Sequence, residues 1–161
     1  MTTPDATRPT PKGGIDPRSP RFGAGITAVL LLVTIYFGLV GASTAAFVVL
    51  LVIALLFAWG AFAGIRRHPY GAVFRRLVRP RLPAPTELED PAPSTFAQGV
   101  GFVITGIGVV LALVGIAWAI PLFAAFAFVA AFLNSVFGYC LGCQMYLVGV
   151  RAGVLGRAQR A

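Results

Sequence analysis

Between Phe22 and Ile65, and again between Phe96 and Val150, the chain carries no charged side chain. About 20 apolar residues cross a bilayer once, so each stretch is too long for one crossing and suited to two. Four runs result: Phe22–Val40, Ala45–Ile65, Phe96–Ala119 and a last one beginning near Pro121. In hydrocarbon every backbone polar group needs an internal partner, which makes such runs helices. Charged residues are 11% of the chain and hydrophobic ones 58%, whereas a soluble domain is about a quarter charged. The predicted fold is an all-α membrane protein, a bundle of four transmembrane helices.

Punctuation in the sequence divides the chain further. Residues 1–21 form a Pro-rich arm that is expected to be disordered, tightening near Ile15-Asp16-Pro17-Arg18. The run that follows is longer than the roughly 7–15 residues of a signal-peptide core, so it reads as a retained span. Gly41-Ala-Ser-Thr44 leaves room only for a tight turn, which makes 22–65 a first hairpin. Residues 66–95 form a basic, Pro-rich loop. Within it, Ala72–Arg79 is apolar on one side and basic on the other, the pattern of a short helix lying in the interface plane. From Pro80 to Pro93 the proline density predicts an extended connector. Residues 96–150 form a second hairpin that turns at Pro121, and 151–161 a basic tail.

The formal net charge of +8 does not point to nucleic acid, because all thirteen Lys and Arg residues lie outside the apolar runs. Four are in the arm, six in the central loop and three in the tail, and neither short hairpin turn has any. By the positive-inside rule both termini and the central loop face the cytoplasm, and the protein belongs in the cell membrane. The lipid bilayer is its first partner, and Arg66, Arg67, His68 and Arg151 are placed at its interface.

The two hairpins open and close on similar residues. Pro20-Arg-Phe22-Gly-Ala resembles Ser94-Thr-Phe96-Ala-Gln, and Gly64-Ile-Arg66 resembles Gly149-Val-Arg151. A 2+2 repeat about the membrane normal would produce this, and so would coincidence in low-diversity apolar sequence. Small residues carry helix packing in lipid. Gly60-x-x-x-Gly64, Gly108-x-x-x-Ala112 and Gly115 qualify, as does a last-span stripe of Asn134, Gly138, Gly142, Met145 and Gly149 if that helix is continuous. Asn134, Gly138 and Gly142 are assigned to packing on this basis.

The only two cysteines, Cys140 and Cys143, end the second hairpin as Cys-x-x-Cys. A rise of 1.5 Å per residue from Pro121 places them about 30 Å on, at the cytoplasmic surface. On a continuous helix they would share a face turned away from the glycine stripe, toward lipid, solvent or a partner. Three readings stand. Cysteine can pack as a small apolar residue. Two thiols at this spacing can form a redox pair, one attacking and one resolving; a break at Gly138 would put Cys140 at a helix N-terminus, which favours the attacking thiolate, with Arg66, Arg67 or Arg151 assisting. Zinc is a minor third, because Cys140, Cys143 and His68 leave a structural site one ligand short unless two chains combine. In a reducing cytoplasm a permanent disulfide is not expected, whereas a transient one exchanged with a soluble thiol protein is allowed. No cofactor is predicted, and no triad, phosphate loop or nucleotide fingerprint is present.

Taken together, Ile15-Asp-Pro-Arg18…Phe22-Gly23, His68-Pro-Tyr-Gly71, Arg79-Pro-Arg-Leu82…Pro85…Glu87-Leu-Glu-Asp90, Phe96-Ala-Gln98 and Asn134…Gly138…Cys140-Leu-Gly-Cys143…Tyr146 resemble the actinobacterial membrane family catalogued as domain of unknown function 4395. The resemblance covers about residues 14–152 and brings no established activity. It implies a genomic association with thioredoxin-like and sulfurtransferase proteins. The reading that follows is a membrane-anchored dithiol exchanging electrons or sulfur with such a partner through Cys140 and Cys143. The alternative is a non-catalytic accessory or assembly subunit of a larger membrane complex.

Overall fold

The structure is a computed structural model that describes residues 14–155 apart from Thr86. Four helices are long and apolar enough to cross a membrane: α1 (Arg18–Leu39), α2 (Ser43–Phe62), α4 (Pro91–Leu113) and α5 (Ala119–Phe137). Two shorter ones, α3 (Pro69–Val73) and α6 (Leu141–Arg151), follow the first and second hairpins. The chain is a multi-pass membrane protein. Its long helices turn large apolar side chains outward, among them Leu32, Val52, Val103 and Val129, the arrangement lipid selects.

Helix order alternates direction, so every arginine among the described residues lies at one end of the bundle, here called the basic end. The main contacts pair α1 with α5 and α2 with α4. Small residues bring these helices together: Ala28 on α1 and Ala124, Ala127 and Ala131 on α5 are buried, and Gly108 on α4 lies against Phe123. Leu31, Leu50 and Ile53 fill the centre. The buried hydroxyls of Thr27, Thr34 and Thr105 donate to the carbonyls of Gly23, Leu30 and Gly101 at 3.0, 2.9 and 2.8 Å. No partner from another helix is needed to satisfy them.

Element boundaries differ from the sequence reading in three places. First, α1 begins at Arg18 rather than Phe22, because Pro20 falls in the first turn, where a missing N–H is harmless. Residues 14–17 before it are ordered too. Ile15 and Glu89 exchange both backbone hydrogen bonds at 2.9 Å. The Asp16 carboxylate accepts from the Arg18 backbone N–H, Nε and Nη2 at 3.0 Å each, while that Nη2 also donates to the Pro83 carbonyl. The expected disorder before residue 14, and the tail beyond 155, lie outside the described residues.

Second, α4 begins at Pro91 rather than Phe96. Asp90 caps it, its Oδ1 accepting from the Ala92 N–H at 2.9 Å, with Pro91 at the first helical position. Proline density suggests extended chain here; among the described residues of 80–93 only 82–85 and 87–90 lie outside helical turns. Third, the expected interfacial helix over 72–79 is a composite. After α3 the chain makes a π turn over Phe74–Val78 and a 3-10 turn over Arg79–Arg81. Phe74 is 2% exposed and packs on Phe22, whereas Arg75, Arg76 and Leu77 face outward.

Candidate functional site

The last span ends at Phe137 and does not continue through the cysteines. Gly138 adopts φ +68°, and its N–H donates to the Asn134 carbonyl at 3.1 Å. The Tyr139 N–H donates to the Leu133 carbonyl at 3.2 Å. A left-handed residue here suits glycine, which has no Cβ to meet the following carbonyl. Arg21 covers the turn: Nη2 donates to the Val136 carbonyl at 3.4 Å, and a Cβ on Gly138 would lie 3.3 Å from its Cζ. A cation at this carbonyl-rich end complements the helix dipole.

Cys140 is then extended and serves as the N-cap of α6, its Sγ accepting from the Cys143 N–H at 3.3 Å. This cap folds the Cys140 sulfur onto the first turn, where Cys143 sits. The two are joined by a disulfide, with Cα atoms 5.2 Å apart, inside the range a bridge accepts. The shared helical face, expected for a continuous helix, is therefore corrected, and the alternative of a break at Gly138 with Cys140 at a helix N-terminus is the arrangement found. The stripe of Asn134, Gly138, Gly142, Met145 and Gly149 required a continuous helix, and the break at Gly138 divides it. Gly142 faces α4, and a Cβ there would come within 2.6 Å of both Cα and Cβ of Ala97. Gly149 faces the Leu155 side chain.

Beside the disulfide lies a cavity of about 710 Å³. Its floor is apolar and aromatic, with Ile53, Phe57, Ile104, Phe123 and Phe126. Cys140, Leu141 and Gly142 belong to its wall. Cys140 therefore faces inward, where the sequence reading had the thiols facing lipid, solvent or a partner. On α5 the lining runs from Phe123 to Asn134, about 16 Å at 1.5 Å per residue, which carries the cavity from the basic end deep into the span. Polar groups gather toward the basic end: Ser94, Gln98 and Asn134, with His68 and Tyr70 from the α3 segment.

His68 is 3% exposed. It had been placed at the interface beside Pro69; the structure caps α3 with it and seals it inside. The Tyr70 N–H donates to Nδ1 at 3.3 Å, so Nε2 carries the proton and donates to the Leu56 carbonyl at 3.1 Å. Burial lowers its pKa below 6.5, and the Leu56 carbonyl offsets this in part. Burial raises the Tyr70 pKa. Arg66, Arg67 and Arg151 are exposed and absent from the cavity wall. With both sulfurs in a disulfide and both His68 nitrogens engaged, the zinc reading has no ligand set within one chain. No group of three His, Cys, Asp or Glu side chains suited to a metal occurs among the described residues.

A family model matches residues 15–151, from the residue bridged to Glu89 to the last residue of α6. The chain belongs to the family described as Domain of unknown function (DUF4395). The DUF4395 match therefore includes the N-terminal bridge, all four spans and the disulfide turn. No curated protein and no solved structure matches the chain.

Of the residues that build the site of this DUF4395 chain, Arg21 carries no role in the sequence reading, Gln98 enters it only within the Phe96-Ala-Gln98 motif, and His68 enters it as an interfacial residue and candidate zinc ligand rather than as a buried one. Gln98 offered one signal, an amide just inside an uncharged run. Gly60 makes room for it, since a Cβ on Gly60 would lie 2.7 Å from its Cγ and Oε1.

Proposed function

We propose that this protein is a membrane-held dithiol–disulfide couple that exchanges electrons or sulfur with a thiol partner at the basic end of the bundle. One observation carries the reading: Cys140 and Cys143 are disulfide-bonded on the first turn of α6, with Cys140 as its N-cap. In the reduced form a Cys140 thiolate keeps the Cys143 N–H as donor and lies at the positive end of the helix dipole. It attacks a sulfur of the partner's disulfide and releases one partner thiolate. Cys143 gives up its proton and attacks the Cys140 sulfur of the mixed disulfide, releasing the second. Two electrons pass to the partner; in reverse, two partner thiols reduce the Cys140–Cys143 disulfide and become a disulfide themselves. For sulfur transfer, the Cys140 thiolate attacks the outer sulfur of a partner persulfide, releasing the partner thiolate and becoming the Cys140 persulfide. Cys143 then closes the disulfide and expels hydrogen sulfide anion.

The partner class is a thioredoxin-like or sulfurtransferase protein, meeting the couple on the cytoplasmic side. The gathering of arginine at one end supports that orientation, with both termini cytoplasmic. The pairing of α1 with α5 and of α2 with α4 supports two hairpins related by an axis along the membrane normal.

Trapping in membranes tests the reading. Cys143→Ser leaves Cys140 able to attack and nothing to resolve, so a mixed disulfide with the partner should accumulate. Cys140→Ser should trap far less. Alkylation with a mass-shift reagent should show two thiols appearing together under reductant. If neither cysteine changes state with oxidant or reductant, and neither variant traps a partner, the reading is wrong.

A further inference from the structure

We propose that the cavity beside the disulfide holds the ring of an isoprenoid quinone, and that this quinone is the electron acceptor that re-forms the Cys140–Cys143 disulfide. The proposal rests on the dithiol reading above and adds its second substrate.

Closing a disulfide from two thiols releases two electrons and two protons, so an acceptor must reach the sulfurs. The cavity reaches the couple at Cys140, which is part of its wall, while Cys143 is not. At about 710 Å³ it falls in the ordinary range for small-molecule sites, apolar with a few converging polar groups. Phe57, Phe123 and Phe126 supply faces and edges for a flat ring.

Two further features narrow the occupant. Gln98 and Asn134 both line the cavity, and among the described residues neither amide has a hydrogen-bond partner. A lipid acyl chain would leave both amides unpaired, at a cost. A quinone brings two carbonyl oxygens, acceptors for two amide N–H donors. In addition, Phe126, Val129 and Met145 line the cavity yet are 57%, 52% and 54% exposed. The wall between α5 and α6 is thus open sideways, at the level of the spans. A ligand with a ring inside and an isoprenoid tail in the bilayer fits that opening.

The step balances. Two S–H bonds break and one S–S bond forms, while both quinone carbonyls become hydroxyls. His68 takes no proton in this step, because both of its ring nitrogens are already engaged.

The test uses the full chain in lipid nanodiscs, reduced and freed of reductant, with decylubiquinone as probe; its ring is fully substituted, so thiols cannot add to it. Wild type should form one quinol per chain as both thiols disappear. Cys140→Ser should form none yet still bind the probe. Replacing Gln98 and Asn134 singly with Leu should raise half-saturation by about tenfold each, the loss of one hydrogen bond at about 1.4 kcal/mol. Ala130→Phe, which fills the cavity, should slow quinol formation relative to exchange with thioredoxin in the same preparation. Wild type that exchanges with thioredoxin but does not reduce the quinone overturns this proposal and leaves the dithiol reading standing. Quinol formation that Ala130→Phe leaves unchanged overturns the site. Failure of both reactions overturns the dithiol reading, and the proposal falls with it.

Discussion

Replacing Gly142 with Ala tests how α6 is held. The new Cβ would sit 2.6 Å from Cα and Cβ of Ala97, where ordinary contact begins at 3.4 Å. Neither obstacle is the far end of a flexible side chain, so no rotamer change relieves the clash and α6 must retreat from α4. Overpacking of this kind costs about 1–3 kcal/mol, and alanine's better helix propensity returns about 1 kcal/mol. The expected net loss is therefore about 0–2 kcal/mol. Gly106→Ala, in the middle of α4, is the control: no neighbour lies within 4 Å of its Cβ position. There only the propensity term acts, and a gain of about 0.5–1 kcal/mol is expected. Thermal unfolding in detergent, followed by tryptophan fluorescence, should thus move in opposite directions for the two variants. Gly142 lies between the cysteines, so its variant should also change the rate of disulfide reduction by a thiol, which Gly106→Ala should not. Ala97→Gly should rescue Gly142→Ala only in part, because the Ala97 Cα remains in the way. If Gly142→Ala is as stable as Gly106→Ala, the close approach of α6 to α4 is wrong.

Other outcomes follow from single groups. In the reduced protein at neutral pH, iodoacetamide should label Cys140 before Cys143, as read by peptide mass spectrometry, because Cys140 caps the helix and its sulfur accepts the Cys143 N–H. The lowered pKa of buried His68 means the unfolded chain binds a proton more readily than the folded one. Its contribution is fully present above pH 6.5 and is lost as pH falls from there through the folded pKa. Melting temperature should therefore decline on acidification over that window, and His68→Asn should flatten the decline. Burial works to raise the Asp16 pKa, but hydrogen bonds from Arg18 and the charges of Arg18 and Arg79 outweigh it, leaving it below 3.8. That contribution is present above pH 3.8 and lost as pH falls through the lowered value. Asp16→Asn should accordingly speed limited proteolysis of the N-terminal segment at neutral pH, with the difference from wild type vanishing in strong acid.

The four spans were legible because lipid tolerates so few solutions: an uncharged run of the right length has to be a helix. Starting points were less so. Asp90-Pro91 is a strong helix start, yet it sat among prolines that also fit an extended chain, and the cap decided. Glycines were ambiguous for a similar reason. Gly64 and Gly115 completed small-residue patterns, but in the structure both lie beyond a helix end, at φ +83° and +93°. Gly60 and Gly108 do pack as small residues, against Gln98 and Phe123. Spacing alone cannot separate these uses, since the same residue serves a tight crossing and a left-handed turn. The tie between Ile15 and Glu89, and the meeting of Gln98, Asn134 and Cys140 at one cavity, depend on which helices become neighbours. Local periodicity holds no record of that.

The break at Gly138 shows how span length and chemistry are linked. At 1.5 Å per residue the nineteen residues of α5 cover about 28 Å, close to the hydrocarbon thickness of about 30 Å. Gly138 is thus among the first residues free to leave the helix, and its φ of +68° redirects the chain. Had the helix continued, Cys140 would have kept helical geometry, its sulfur without the Cys143 N–H and its N–H bonded within the helix. Ending the span instead creates a new helix start two residues later, with Cys140 as its cap. Gly142 lets that start press against Ala97, and Cys140, Leu141 and Gly142 enter the cavity wall. The stretch from Phe96 to Arg151 is longer than the corresponding stretch from Phe22 to Arg66, and this turn and α6 take up the difference. A chain whose second hairpin closed as tightly as the first would have the same four spans and no disulfide at the cavity.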